Sequence, residues 1–309
     1  MMAHEFGLLR RILKAESGLK LAEDKQDMLE GKLRPLLKEF ALPSLSHLAL
    51  ALLKPGGEHL RARVAQAVTV QESYFFRDKV PFQYFADTML PALMARREDT
   101  RRLRIWCAAA ATGQEPYSLA MALAGKAQHL AGWTVEIVAT DFVEEALAKA
   151  RKGVYSQFEV QRGLPVTLLV KHFRQVGSAW EIAPELRERV DFRIHNLLDD
   201  CNGLGQFDVI FCRNVLIYFD EPTKRAVLAR LAGQLASDGY LVIGAAETTT
   251  GHSDDFVGVP EGHHGIFRFT PEAAAMMQAR EAASRVASQD ASSEADVRDL
   301  PPVRLRATR

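Results

Sequence analysis

The amino-acid sequence predicts an α/β protein, in which an all-helical domain precedes a doubly wound, mostly parallel sheet. Two observations predict this fold class. From about residue 100, short runs of β-branched and aromatic residues alternate with helical segments, which is typical of a parallel sheet covered by helices on both faces. Before that point, apolar residues recur at helical spacing.

Residues 1–80 are expected to form the helical domain. In the stretch FGLLRRILKAESG, apolar residues recur with a helical period that ends near Gly18. The stretches SLSHLALALLK and HLRARVAQAVT are also expected to be helical. Between them, Gly31 and Pro35 predict either two helical pieces or a kinked helix.

Five apolar runs are candidates for the strands of the sheet. Each is short and nearly continuous in apolar residues, as expected for strands that are buried on both faces. Their positions are 103–109, 134–140, 190–196, 207–213 and 239–245. In a sheet of this kind a ligand binds outside the carboxyl ends of the strands, where the strand order reverses.

The sheet domain is expected to span residues 81–270. Within it, residues 155–190 are too long for one crossover and contain the strand-like piece SAWEIAP, so we predict a small insert on the rim of the sheet. Residues 271–309 lack Phe, Trp and Tyr and are rich in Ala, Ser and Arg. This composition predicts a short helix near 271–288 within a mostly disordered tail.

Composition excludes several classes of function. The 309 residues carry no formal net charge at pH 7, so no attraction of the whole molecule to nucleic acid or to a membrane is expected. No signal peptide or transmembrane segment is recognisable, which predicts a cytoplasmic protein. Cys107, Cys201 and Cys212 are too few for a disulfide framework and lack CxxC spacing, so no structural zinc site is expected.

The turn after the first strand, in RIWCAAAATGQEPYSLAM, is built from small residues. Ala108, the alanines that follow it and Gly113 allow a ligand to approach the backbone closely. One βα unit later, Asp141 ends the second strand, where a carboxylate can accept hydrogen bonds from both hydroxyls of a ribose. Together these features predict a ligand that contains adenosine.

Glu115 narrows the choice of ligand. It stands where a pyrophosphate would approach, and a carboxylate that faces a diphosphate is unfavourable. The sulfonium and α-amino groups of S-adenosylmethionine are positive and suit this acid, so we predict this cofactor. The alternative is that Glu115 only places a charge at the N-terminus of a helix.

Two further stretches are candidates for the site. In FDVIFCRNVLIYF, Arg213 and Asn214 follow a strand and can contact the ligand, whereas Tyr218 either lines an entrance or packs in the core. In TVQESYFFRDKVPF, three adjacent aromatic residues cannot all face one core. This stretch is either a linker with hydrophobic anchors or a lid whose Arg77 meets an acidic group of the ligand.

Five sequence blocks together resemble one protein family. ESYFFRD, RIWCAAAATGQEPYSLAM, VATDF followed by ALAKARKGVYS, FDVIFCRNVLIYF and GAAETTTG are similar, in this order, to the signatures of the CheR family of bacterial chemoreceptor glutamate methyltransferases. The similarity extends over about residues 8–270. It implies a Rossmann-like methyltransferase sheet with a small β-subdomain, S-adenosylmethionine as the cofactor and S-adenosylhomocysteine as the product.

The resemblance also implies roles for individual residues. Tyr218 matches a tyrosine near the methyl group that is transferred, and Arg77 is expected beside it. The residues expected to bind the cofactor are Gln71, Ser73, Arg77, Ala108, Gly113, Glu115, Asp141, Asn196, Leu197, Cys212, Arg213 and Asn214.

The expected partner is the cytoplasmic helical bundle of a chemoreceptor. Lys32, Arg34 and Lys38 form a basic cluster that is interpreted as a solvated helix face when taken alone. The resemblance implies that the helical domain faces the receptor, so these three residues are expected to bind it.

The insert lacks the long Gly-rich loop of family members that bind a pentapeptide tether, so no tether binding is expected. We expect a monomer.

The expected reaction is an in-line methyl transfer to a glutamate carboxylate, which gives a glutamate methyl ester. Such a carboxylate has a pKa of about 4.3 and is already ionised at neutral pH, so neither a general base nor a metal is needed. Arg77 and Tyr218 are expected to orient the reacting groups. Two alternatives are a non-catalytic signalling module that senses the cofactor and a methyltransferase with a small-molecule or other non-chemotaxis substrate.

Overall fold

The computed structural model describes residues 2–260 and 264–283. Its N-terminal part consists of the helices α1 (Ala3–Ser17), α2 (Gln26–Glu39), α3 (Leu45–Leu52) and α4 (Glu58–Val68), with a short 3-10 helix at Glu23–Lys25. The apolar faces of these helices share one core, which includes Leu9, Leu13, Leu29, Leu33, Leu48, Leu52 and Val64. The core follows directly from the helical spacing of these residues.

Pro35 lies inside α2, which runs as a single helix. The alternative of two separate pieces is therefore wrong. Leu29, Leu33 and Leu36 are buried on one face of α2, and this packing maintains the helix although Pro35 has no N–H group to donate.

A seven-stranded sheet forms the centre of the rest of the chain. The strands, numbered along the whole chain, are β1 (Arg102–Ala108), β2 (Thr134–Asp141), β3 (Val154–Ser156), β4 (Phe173–Val176), β5 (Ala179–Ile182), β6 (Val190–Ile194), β7 (Phe207–Cys212), β8 (Leu235–Ile243), β9 (Phe256–Gly258) and β10 (Ile266–Phe269). The large sheet has the order β6-β2-β1-β7-β8-β10-β9. Its first five strands are parallel, whereas β10 and β9 pair antiparallel.

Helices cover both faces of this sheet, as the fold class predicted. Alternate residues of β1 point into different cores: Cys107 lies in one and Trp106 in the other. The connecting helices are α5 (Val80–Tyr84), α6 (Leu90–Arg96), α7 (Gln114–Gly125), α8 (Glu144–Lys152), α9 (Gln157–Gln161), α10 (Val166–His172), α11 (Pro184–Arg187) and α12 (Glu221–Gln234). A π-helical stretch at Phe85–Met89 joins α5 to α6, and 3-10 helices lie at Asn202–Leu204 and Leu216–Tyr218.

A small antiparallel sheet of the order β3-β5-β4 coincides with the predicted insert, except that β3 begins one residue earlier, at Val154. Tyr155 of β3 is fully buried in the core of the large sheet, which anchors the small sheet there. The strand-like piece SAWEIAP indeed contains β5.

Residues 271–283 are helical, in agreement with the helix expected at the start of the tail. Ala273 of this helix is buried in a sheet core, and the Glu281 carboxylate accepts a hydrogen bond of 2.8 Å from the backbone N–H of Ser237. The prediction of disorder beyond this helix falls on residues 284–309, which lie outside the described ones. In the described part of the chain, no helix combines the length and the apolar character that crossing a membrane requires.

Candidate active site

A cleft with about 900 Å³ of free space, counted out to its mouth, opens at the carboxyl ends of β1, β2, β6 and β7. Strand β1 has β2 on one side and β7 on the other, so the cleft lies where the strand order reverses, as predicted. Its walls are formed by Ser17, Leu19, Thr69, Val70, Gln71, Glu72, Ser73, Arg77, Ala108, Ala109, Ala111, Glu115, Thr140, Asp141, Phe142, His195, Asn196, Leu197, Arg213, Asn214, Val215, Tyr218 and Phe219.

The turn after β1 brings small residues to the cleft. Ala108 and Ala111 line it, whereas Gly113 does not. Gly113 has a φ of 93°, and a Cβ there would come within 2.8 Å of the Ala150 Cβ and 3.0 Å of the Tyr155 hydroxyl. We expected Gly113 to contact the ligand directly, and this expectation is wrong because Gly113 does not line the cleft. Glycine is needed at this position because the backbone is left-handed and packs closely against α8.

Asp141 lies at the end of β2 and holds the turn after β1 in place. Its carboxylate accepts hydrogen bonds of 2.9 Å from the backbone N–H groups of Ala111 and Val143. Burial raises the pKa of Asp141, and these two N–H groups and the Gln71 side chain oppose the increase. The carboxylate is thus held rigidly at the edge of the cleft, where it can accept further hydrogen bonds.

Arg213 lies directly after β7 and connects two acids. Its guanidinium is 2.7 Å from the Glu115 carboxylate and 2.6 Å from the Asp78 carboxylate, and it also donates to the backbone carbonyl of Arg77 at 3.0 Å. Burial raises the pKa of Glu115, whereas the adjacent guanidinium of Arg213 lowers it. Asp78 was not among the predicted residues, because nothing in the local sequence indicates a partner 135 positions away.

Asn214 follows Arg213 with a left-handed backbone, at a φ of 59°. The Glu247 carboxylate accepts hydrogen bonds from the backbone N–H groups of Asn214 at 2.8 Å, Ile217 at 3.1 Å and Gly244 at 2.6 Å. Glu247 therefore fixes the loop after β7 to the loop after β8. The block GAAETTTG was recognised in the sequence, but the role of its acid, Glu247, in joining these two loops was not predicted.

The segment before the sheet contributes Gln71, Ser73 and Arg77 to the cleft. The three adjacent aromatic side chains separate, as expected. Phe75 is buried against Tyr155 and Phe173, Phe76 packs against Phe82, and the Tyr74 ring lies below the guanidinium groups of Arg77 and Arg162. The Arg77 side chain donates to the Glu72 carbonyl at 3.3 Å.

The end of α1 closes the opposite wall of the cleft. The Tyr218 carbonyl accepts a hydrogen bond of 2.8 Å from the Lys20 backbone N–H, and the Asn196 side-chain amide donates to the Glu16 carbonyl at 2.7 Å. Tyr218, Asn196 and Leu197 all line the cleft, as do Ser17 and Leu19 of the N-terminal part. The contribution of Ser17 and Leu19 was missed because it depends on how two distant parts of the chain pack.

Two expectations about side chains need correction. The Cys212 side chain is fully buried in the core, where burial raises the pKa of its thiol, and it does not reach the cleft. The Lys32 ammonium donates to the Val68 carbonyl at 2.7 Å, at the C-terminal end of α4, and its partial burial lowers its pKa. Lys32 thus caps a helix, whereas Arg34 and Lys38 are exposed. None of the three basic residues lines the cleft.

His195 and Thr140 also line the cleft and were not predicted. The His195 Nε2 atom lies 3.3 Å from the Cys201 Sγ atom, and burial lowers the pKa of His195. The Thr140 hydroxyl accepts a hydrogen bond of 2.9 Å from the Trp106 indole. The position of His195 near the end of the predicted run 190–196 was the one signal that could have indicated it.

The cleft fits a nucleoside with a cationic amino-acid end. Three of its side chains have buried polar atoms without a hydrogen-bond partner in the described protein: Gln71 Oε1, Arg213 Nε and Asn214 Oδ1. Two buried acids, Glu115 and Asp141, accompany them. The two amide oxygens and the acids can accept hydrogen bonds from ribose hydroxyls and an ammonium group, whereas the Arg213 Nε–H is a donor. The acids would repel a polyphosphate.

Comparison with known families agrees with this site. Residues 71–263 match the family description "CheR methyltransferase, SAM binding domain", and residues 4–69 match "CheR methyltransferase, all-alpha domain". A solved methyltransferase, the plantazolicin methyltransferase BpumL in complex with SAH, covers 70% of this chain and 61% of its own at 14% identity. Its TM-score of 0.30 is too low to inform the site.

Curated relatives are similar over most of the chain. The chemotaxis protein methyltransferase 1 of Pseudomonas aeruginosa is 39% identical over 258 residues, which cover 82% of this chain and 93% of that protein. The chemotaxis protein methyltransferase of Vibrio parahaemolyticus is 37% identical, with 82% and 92% covered, and that of Borreliella burgdorferi is 31% identical, with 81% and 90% covered. The chain therefore belongs to the CheR family and is an S-adenosylmethionine-dependent methyltransferase.

Proposed function

We propose that this protein transfers the methyl group of S-adenosylmethionine to glutamate side chains of a methyl-accepting chemoreceptor, for sensory adaptation. The products are glutamate methyl esters and S-adenosylhomocysteine. One observation carries the proposal: in a member of the CheR family, the cleft brings Asp141, the Glu115–Arg213 pair, Arg77 and Tyr218 together at the carboxyl ends of the strands.

Four residues would hold the cofactor through their charge and their hydrogen-bonding groups. Asp141 accepts from the ribose hydroxyls, and Glu115 meets the cationic amino-acid end. Gln71 and Asn214 each offer a buried oxygen that has no partner in the described protein. Ala108 and Ala111 leave room beside them. When bound, S-adenosylmethionine supplies an electrophilic methyl group on a positively charged sulfur.

The side chains of the cleft orient the acceptor and need not move a proton. A glutamate carboxylate is ionised at neutral pH and attacks as it is. His195, which is the one histidine among the described residues that line the cleft, has a lowered pKa and lies against Cys201. We assign the orientation of the acceptor to the Arg77 guanidinium, by charge, and to the Tyr218 hydroxyl, by hydrogen bonding.

We further propose that residues 1–80 face the receptor and that residues 81–270 carry out the transfer. The reaction would take place in the cytoplasm, with one copy of the chain at the helical bundle of the receptor. Strands β4 and β5 are joined by Gly177 and Ser178 alone, which is a short turn with no long loop for a receptor tether. The proposal therefore includes no tether binding and no nucleic-acid partner.

The test is incubation of the purified protein with methyl-labelled S-adenosylmethionine and chemoreceptor-bearing membranes. We expect a base-labile label on the receptor band. S-adenosylhomocysteine binding is measured on the same sample by calorimetry, as the control for an intact cofactor site. Binding without label would contradict the proposal and favour a cofactor-sensing module, and label on a small molecule alone would favour a different substrate.

A further inference from the structure

A second depression lies beside the mouth of the active-site cleft and is lined by basic side chains. It is a shallow groove along α1, with about 650 Å³ of free space that includes open solvent. Its lining residues are Gly7, Arg10, Arg11, Lys14, Leu19, Lys20 and Leu21. Every ionisable side chain in this set is cationic. Residues 7, 10, 11 and 14 share one face of α1 because they are three or four positions apart.

The charge of this α1 groove is only partly neutralised. Arg10 pairs with Glu23 at 3.1 Å, and Lys14 pairs with Asp220. Arg11 and Lys20 are exposed, and among the described residues neither side chain has an ion-pair partner. A net positive charge therefore remains on the surface of the groove.

The α1 groove is continuous with the active-site cleft. Leu19 lines both. The Lys20 backbone N–H is hydrogen-bonded to the Tyr218 carbonyl, and Lys14 pairs with Asp220, two residues beyond Tyr218. A chain segment lying in the groove would thus reach the cleft next to the residue that we place near the transferred methyl group.

We infer that the α1 groove binds the acidic face of the protein segment whose glutamate is methylated. The inference rests on the proposed function and names the surface that positions its substrate. Arg11 and Lys20 attract carboxylates on either side of the acceptor glutamate, and this attraction weakens as salt screens it. Each methylation converts one carboxylate into a neutral ester, so the groove binds the unmethylated segment more tightly than the methylated product.

The inference differs from the prediction drawn from the sequence, which placed the receptor contacts on α2. Lys32 of that set caps α4, so its ammonium is already hydrogen-bonded. Arg34 and Lys38 remain exposed and provide the rival surface. The two surfaces can be distinguished by charge reversal.

The experiment measures methyl transfer to a purified cytoplasmic fragment of a chemoreceptor at low and high salt. The variant Arg11→Glu/Lys20→Glu is compared with Arg34→Glu/Lys38→Glu on α2. Arg189→Glu is the matched control, because Arg189 is an exposed residue just before β6, at the end of that strand away from the cleft. The affinity for S-adenosylhomocysteine is measured on every variant to verify an intact cofactor site. The milder variant Arg11→Gln/Lys20→Gln, which removes the two charges without reversing them, keeps the test valid if the charge reversal prevents folding.

We expect the groove charge reversal to raise KM for the fragment by about tenfold at low salt, with kcat within about twofold. The milder variant should raise KM by about threefold, and the salt dependence of KM should decrease in both. An unchanged KM in the groove variants, or an increase confined to the α2 variant, would overturn the inference. A wild type that binds S-adenosylhomocysteine but does not methylate the fragment would contradict the proposed function, and the groove assignment, which rests on that function, would be wrong as well. A wild type that methylates the fragment while KM is unchanged in the groove variants would contradict the groove assignment alone.

Discussion

The Asp141 carboxylate accepts hydrogen bonds from the backbone N–H groups of Ala111, in the turn after β1, and Val143, just after β2. A ribose placed there would find an acceptor whose position is already fixed, so little conformational entropy is lost on binding. On our proposal the residue therefore has two roles, one in holding the turn and one in binding the ribose, and a substitution should affect both to different degrees.

Asp141→Asn keeps the size of the side chain but replaces one acceptor oxygen with a donor. We expect the Kd for S-adenosylhomocysteine to rise by about tenfold or more, since a hydrogen bond to a charged group contributes about 1.5–3 kcal/mol. Calorimetry gives the Kd directly. Asp191→Asn, at an exposed position on β6, is the control and should leave the Kd unchanged. Equal affinities of the wild type and Asp141→Asn would remove Asp141 from the ribose site.

Arg213 controls the charge of Glu115, which predicts a pH dependence. Burial raises the pKa of Glu115 and the guanidinium opposes the increase, so replacing Arg213 should raise this pKa further. The ionised carboxylate is the form that attracts a cationic amino group. If Glu115 binds the cofactor as we propose, the affinity for it is present above the folded-state pKa of Glu115 and is lost as the pH falls through that pKa.

In Arg213→Met we expect the pH at which S-adenosylhomocysteine binding is half lost to be higher than in the wild type, by about one unit or more. Calorimetric titrations across a pH series measure this midpoint. Arg230→Met, on α12, is the control for removing one arginine charge elsewhere. A midpoint that does not move would show that the Glu115–Arg213 pair does not set the affinity.

Helix α7 begins at Gln114, directly after the left-handed Gly113, so the conformation of the turn decides how the helix meets the sheet. At Gly113, a new Cβ meets both a positive φ and a contact of 2.8 Å. We expect Gly113→Ala to cost about 1–3 kcal/mol of the free energy of unfolding and to lower Tm by several degrees.

Gly125 at the other end of α7 is a matched control, because a Cβ there has no heavy atom within 4 Å and its φ is not positive. Gly125→Ala should be neutral or stabilising. Thermal unfolding followed by circular dichroism compares the two variants. Equal Tm values would contradict the role given to the turn.

Asp220 links α1 to α12. Its carboxylate accepts a hydrogen bond of 3.1 Å from the Thr223 N–H at the start of α12, and it pairs with Lys14. Lys14, followed by the side chain and the backbone N–H of Thr223, lowers the pKa of Asp220 to about 2. Because this pKa is lower in the folded state, the stabilisation is present above about pH 4 and is lost as the pH falls towards 2.

We expect Asp220→Ala to lower the free energy of unfolding by about 1–2 kcal/mol at pH 7, the usual cost of losing a helix cap. The difference from the wild type should shrink as the pH is lowered from 7 to 3. Urea unfolding at several pH values measures it. Glu221→Ala, which removes an exposed pair with Arg225, should cost less at pH 7. A difference that does not depend on pH would contradict the assigned pKa.

Much of the fold could be predicted because the parallel strands inside the sheet are apolar runs buried on both faces, whereas the edge strand β6 alternates buried and exposed residues. The strands β1, β2, β6 and β7 differ from the predicted runs by one or two residues at their ends. The strands β9 and β10 were missed because they are short and only partly buried, and their pairing with β8 depends on a distant element.

The site could be predicted in part for the same physical reason. Residues at the carboxyl ends of neighbouring parallel strands must come together, which is why Ala108, Asp141 and Arg213 share one cleft. Contacts between distant segments have no such local signal. Asp78, Glu247 and the end of α1 therefore became recognisable only once the chain was folded. The Cys212 side chain is buried in a sheet core instead of lining the cleft.

The whole molecule places a basic groove, a helical wall and a cofactor cleft next to one another, and we propose that a receptor glutamate is methylated in this cleft. Mass-spectrometric peptide mapping of a chemoreceptor fragment, after incubation with the protein and S-adenosylmethionine, detects the methyl esters themselves. We predict methyl esters on specific glutamates and one S-adenosylhomocysteine released per ester. An unmodified fragment, in a reaction where the protein demonstrably binds S-adenosylhomocysteine, would contradict it.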